Sequence, residues 1–88
     1  MWQQEIRIAG PYHFGRALRR LAADPTKVID LENKTIKVPL VIGKNPYVIT
    51  VKSIGTVTEP HFIISGDVKD EHKSIVFKEI RRIFQWDV

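Results

Sequence analysis

The stretch that most restricts the fold is residues 70–84, Asp-Glu-His-Lys-Ser-Ile-Val-Phe-Lys-Glu-Ile-Arg-Arg-Ile-Phe. Val76, Phe77, Ile80, Ile83 and Phe84 recur at steps of three and four, so on a helix they share one face, while Lys73, Lys78, Arg81 and Arg82 fall largely outside it. A face this apolar has to be covered, and the rest of the chain offers mainly strands to cover it.

Residues 4–8 alternate polar and apolar, with Ile6 and Ile8 on one side and Glu5 and Arg7 on the other, until Gly10-Pro11 interrupts the pattern. From Tyr12 the period becomes helical. Phe14, Ala17, Leu18 and Leu21 share a face over about a dozen residues, and Asp24-Pro25 is expected to stop the helix because the residue before proline is pushed out of the α region. Residues 27–31 and 35–42 are β-branched runs separated by the polar link Glu32-Asn33-Lys34, which is of hairpin length. Pro39 cannot donate to a ladder, so the second run is either an edge or bulged there. Residues 47–52 form the next strand after the turn at Gly43-Lys44-Asn45-Pro46, and a continuation through 53–57 with a bend at Gly55 stays open. Residues 61–65 make a last short strand before Gly66.

The order β-α-β-β-β-β-α predicts an α+β fold. Every later strand connection is too short for a parallel crossover, so the sheet is expected to be curved, five-stranded and mostly antiparallel, with both helices on one face. Eighty-eight residues without a linker or repeat predict one domain, which buries roughly 60–70% of its unfolded surface. The chain has no cysteine, which removes disulfides and thiol chemistry and fits a reducing compartment, so cytoplasm is the expected location. The N-terminus lacks the pattern of a signal peptide and no apolar run is long enough to span a membrane.

Catalytic signals are weak. Gly43-Lys44 and Gly66 sit in no phosphate-loop pattern and read as turns. His13, His61 and His72 lack metal-ligand spacing, so neither a metal site nor a cofactor is expected. Asp30, Glu32 and Glu59 lie in or beside turns, and no serine stands in a nucleophile motif. The stronger signal is charge. Fourteen Lys and Arg against ten Asp and Glu give a formal charge of +4. Arg16, Arg19 and Arg20 project together at i, i+3 and i+4 from the first helix, and Lys78, Arg81 and Arg82 repeat the arrangement on the last. Such clusters bind phosphates, or are solvated faces favoured by the helix dipole, and no aromatic interleaves them.

Several pieces in order carry a resemblance. Met1-Trp2 precedes an Ile-x-Ile strand; Gly10-Pro11-Tyr12-His13-Phe14 opens a helix with Ala-Leu-x-x-Leu; Asp24-Pro25 follows. Then come Val28-Ile29-Asp30-Leu31, Lys37-Val38-Pro39-Leu40, Phe62-Ile63-Ile64-Ser65-Gly66 and Ile80-Arg81-Arg82-Ile83-Phe84-Gln85-Trp86-Asp87. Together they resemble the N-terminal domain of bacterial DNA-3-methyladenine glycosylases of the helix-hairpin-helix superfamily.

The resemblance implies a TATA-binding-protein-like sheet and a parent enzyme that extrudes and excises alkylated bases. It places the catalytic Asp and the DNA-clamping hairpin further along a longer chain, so no catalytic position carries over. The expected role is a non-catalytic front domain in base-excision repair, partnered by a downstream catalytic domain and double-stranded DNA, with Arg16, Arg19, Arg20, Lys78, Arg81 and Arg82 as weak phosphate contacts. Phe84 and Trp86 are expected to form an incompletely buried end that docks against that catalytic domain. The alternative is a free-standing protein-interaction module using its sheet face or basic helices.

Overall fold

The computed structural model describes residues 1–23, 28–30 and 32–86. Five strands, β1 (Trp2–Arg7), β2 (Val28–Asp30), β3 (Thr35–Ile42), β4 (Asn45–Ser53) and β5 (His61–Gly66), form one open sheet in the order β1-β5-β4-β3-β2, antiparallel at every pairing. Helix α1 (Phe14–Leu21) follows β1, and a 3-10 turn at Asp70–His72 leads into α2 (Lys73–Phe84).

Strand alternation decides which face is covered. Ile36, Val38, Ile49, Val51, Phe62, Ile64 and Ile6 point inward, and the register aligns them across strands as Ile36↔Val51↔Ile64, Val38↔Ile49 and Ile6↔Phe62. Phe14, Ala17, Leu18 and Leu21 of α1 join Val76, Ile80 and Phe84 of α2 in the same buried cluster, so the two helices cover one sheet face. The other face carries Lys37, Thr50, Ser65 and Gln3 in one cross-strand row. Towards the β3–β4 turn that face holds the opposed pairs Pro39↔Val48 and Val41↔Pro46, with Val41 and Val48 70% and 61% exposed.

Several boundaries differ from expectation. β1 begins at Trp2 and ends at Arg7, because Trp2 pairs with Gly66. α1 stops at Leu21, its last inward residue, and Asp24-Pro25 lies outside the described residues, as do Lys27 and Leu31 at the ends of the second predicted strand. The 70–84 helix opens with a 3-10 turn. β4 ends at Ser53 with no run to Val57, because Ile54 and Gly55 N–H groups both donate to the His61 carbonyl and turn the chain. Pro39 sits in unbroken register with Val48, so β3 carries no bulge there, and among the described residues no β2 pairing reaches the proline.

Candidate nucleic-acid interface

Helix α1 turns its four apolar residues inward, which leaves Arg16, Arg19 and Arg20 exposed on the opposite side as their spacing requires. On α2 the inward stripe is Val76, Ile80 and Phe84; Lys78 and Arg82 are exposed and Arg81 is half-buried. Arg82 donates to the Glu79 carboxylate at 2.7 Å.

The clusters meet where α1 crosses the end of α2. The Arg20 guanidinium donates to the Ile83 carbonyl at 3.0 Å, and Arg16 and Arg20 line an open cleft of about 250 Å³ with His13, Ala17 and Gln85. That contact belongs to a complete accounting of the α2 C-terminus. A helix leaves its last four carbonyls without intrahelical partners. Here the Phe84 carbonyl accepts from the Tyr12 hydroxyl at 2.6 Å and the Ile83 carbonyl from Arg20. Gln85 takes the left-handed conformation (φ 59°), so that its N–H reaches the Arg82 carbonyl and the Trp86 N–H reaches that of Arg81, at 3.3 and 3.0 Å. This is a Schellman turn with glutamine where glycine is usual. Arg20 is therefore first a helix cap, and the other α1 arginines are the freer phosphate donors.

The same turn corrects the expectation of an uncovered aromatic end. Reversal at Gln85 folds Trp86 back over the core, where its ring stacks on Phe62 with centroids 4.6 Å apart and on Phe84 at 5.1 Å. Phe84 also stacks on Phe14 at 5.8 Å, and exposure is 1% for Phe84 and 5% for Trp86. Both rings are enclosed by this chain's own residues. The buried Trp86 indole N–H lies close enough to the Tyr12 oxygen to favour the phenolate, but finds no acceptor in hydrogen-bond geometry.

Tyr12 is the residue that sequence reasoning missed. It joins the β1–α1 connection to the α2 terminus, and its N–H donates to the Val57 carbonyl at 2.9 Å. Tyr47 of β4 does the same at the other end of α2, its hydroxyl 2.7 Å from His72 Nδ1. Two tyrosines thus pin the helix from both ends. Burial raises the Tyr12 pKa above 10.0, and the neighbouring Arg20 charge and Trp86 N–H oppose that rise. Because the raised pKa belongs to the folded state, its stabilising contribution is complete below pH 10.0 and is lost as pH climbs through the folded value. Tyr12→Phe is expected to cost about 0.5–1.5 kcal/mol in urea unfolding at pH 7. It should also flatten part of the stability loss above pH 10.0; an unchanged alkaline limb would show that another group causes the loss.

Among the described residues no group of three or more His, Cys, Asp or Glu could hold a metal ion, and no helix is long and apolar enough to cross a membrane. His61 Nε2 lies 3.6 Å from the Glu5 carboxylate without forming a hydrogen bond.

No family model and no solved structure matches the chain. It is 45% identical over 87 residues to a Geobacillus stearothermophilus protein described as "Uncharacterized protein in fumA 3'region", covering 98% of this chain and 97% of that one. It is 35% identical over 88 residues to "Putative DNA-3-methyladenine glycosylase YfjP" of Bacillus subtilis, covering 99% of this chain but 30% of the relative.

Proposed function

The chain belongs to the family of the Geobacillus stearothermophilus protein, and from that premise we propose that it is a non-catalytic N-terminal domain of the kind carried by a DNA-3-methyladenine glycosylase, serving base-excision repair of alkylated DNA. The observation that carries this reading is the match of the whole chain to less than a third of a much longer glycosylase relative. The domain supports a catalytic domain of the same parent protein and contributes phosphate contacts through Arg16, Arg19, Lys78, Arg81 and Arg82, with Arg20 holding the two helices in register. Two of its carboxylates are set against general-acid work. Asn33 bonds hold Asp30 below the ordinary carboxylate range, and Lys73 does the same for Asp70, the reverse of what a general acid requires.

Two results are expected. The purified chain releases no 3-methyladenine from alkylated DNA, and turnover that survives purification would overturn the non-catalytic reading. Duplex binding is weak, sequence-independent and salt-dependent, because helix-face cations reach phosphates without reading base edges. Arg16→Glu combined with Arg19→Glu is expected to lower the salt slope of log Kd by about 2 while leaving the melting temperature unchanged. Arg20→Glu is unsuitable as a binding test because it also removes the Ile83 cap. Binding indifferent to both the double reversal and salt would sink the phosphate contact.

A second reading, a free-standing interaction module, is favoured by a relative of nearly this chain's length and by the enclosure of Phe84 and Trp86 within this chain. In that case the sheet face bearing Val41 and Val48 is the surface left for a partner. Expressing the chain with the glycosylase-type catalytic domain distinguishes the two. Co-purification supports the first reading, and its absence supports the second.

A further inference from the structure

We infer that the open edge of β1 pairs with the same edge of a second copy of this chain, joining two sheets into one antiparallel sheet around a two-fold axis. β1 borders the sheet and pairs with β5 alone. Gln3, Gln4, Glu5 and Arg7 are exposed, so no helix or loop among the described residues covers that border.

Neighbouring hydrogen bonds fix which backbone groups of β1 face outward. The His61 carbonyl accepts from Ile54 and Gly55, on the β4 side, and the Ser53 N–H donates to Lys34, which turns Ser53 away from its opposite residue Phe62. In a strand the N–H and C=O of one residue point the same way, and those of the next residue point the opposite way. His61, Ile63 and Ser65 therefore bond towards β4, and Phe62, Ile64 and Gly66 bond to Ile6, Gln4 and Trp2 of β1. Gln3, Glu5 and Arg7 are left with three N–H donors and three C=O acceptors aimed out of the sheet, with no partner among the described residues.

Proteins usually blunt such an edge with proline, lysine, a bulge or charge that repels another strand. β1 holds no proline or lysine and stays in register with β5 over all six residues. Its two charges have opposite signs, which makes the edge complementary to itself. A continuous sheet keeps each face, so residues opposed across the axis must come from the same face of β1. An axis at Glu5 would set that carboxylate against its own copy, and an axis at Gln4 would leave Arg7 opposite Met1. An axis at Ile6 places Glu5 opposite Arg7 of the second copy and Arg7 opposite its Glu5, each pair exchanging two backbone bonds. On the helix-covered side Ile6 then meets its own copy and Gln4 meets Ile8. The contact is isologous and closes at two copies.

Sedimentation of the whole chain at rising concentration is expected to show the mass climbing from 10.2 kDa towards twice that value, more steeply at low salt. The Glu5 and Arg7 amides should exchange freely in dilute solution and become protected as the dimer forms, while Gln4 and Ile6 are protected throughout. Glu5→Arg and Arg7→Glu, each shown folded by its melting curve, should each weaken self-association about ten-fold or more, because each sets like charges opposite one another at both pairs. Mixing these two variants should restore a dimer that neither forms alone. Glu5→Arg and Arg7→Glu combined in one chain should dimerise like the parent, and this double variant decides the matter if a single variant unfolds. The inference is overturned if the chain stays monomeric up to about 1 mM, if the dimer is indifferent to both reversals, or if neither the mixture nor the double variant associates. Protection that appears elsewhere but not at Glu5 and Arg7 would also overturn it.

Discussion

Trp86→Ala is expected to remove about 3–5 kcal/mol of stability, the cost usual for emptying a large aromatic site in a core. An 88-residue domain holds on the order of 4–13 kcal/mol in total, at about 0.05–0.15 kcal/mol per residue, so this change leaves the fold marginal. The size of the effect follows from position. Trp86 covers Phe62 and Phe84 at once, and both are also in contact with Phe14. Trp86→Phe should cost less than about 1.5 kcal/mol, because it keeps most of the stacking area and removes the indole N–H that has no acceptor. Urea unfolding checks both, with a lower midpoint at unchanged slope. In a Trp2→Phe background the Trp86 fluorescence of this chain alone should be blue-shifted and resistant to iodide. Quenching as rapid as that of free tryptophan, or a loss below about 1 kcal/mol in Trp86→Ala, would mean that the ring is not packed as described.

The same glycine-to-alanine change at two positions is expected to act with opposite sign. Gly55→Ala should destabilise by about 1–3 kcal/mol, since its Cβ would press on the Glu59 carbonyl and His61 N–H, which are backbone atoms without a rotamer to yield. Those atoms belong to the turn closed by the Ile54 and Gly55 bonds to His61, so relief of the clash breaks hydrogen bonds as well. Gly15→Ala places its methyl in open space on a helix and should stabilise by about 0.5–1 kcal/mol. Thermal melts of the two variants beside the parent decide the matter. A Gly55→Ala protein as stable as the parent would show that the turn relaxes freely.

Periodicity determined most of this fold in advance because it is a local property. The step of three and four in Phe14, Ala17, Leu18 and Leu21 identifies the inward face of α1 whatever it packs against. The same reasoning places Arg16, Arg19 and Arg20 outside it. In β3 and β4 the consecutive apolar residues Leu40-Val41-Ile42 and Tyr47-Val48-Ile49 leave the core face open in the sequence, while the short connections settle that the strands run antiparallel. The basic part of the candidate interface was legible for that reason.

What only the tertiary structure decided are contacts between residues far apart in the chain. Tyr12 bonds to the Phe84 carbonyl 72 residues away, and Arg20 to that of Ile83 across 63, so no local pattern marks either as a cap. Gln85 gives no sequence warning of a left-handed residue, since that conformation is ordinarily assigned to glycine or asparagine. Glutamine adopts it here because the strain of about 1 kcal/mol is outweighed by two Schellman bonds and by burial of the Trp86 ring against Phe62 and Phe84. Those energies exist only once β5 and α2 are together. Phe84 and Trp86 therefore read as unpartnered in the sequence and close on the chain's own core in the structure.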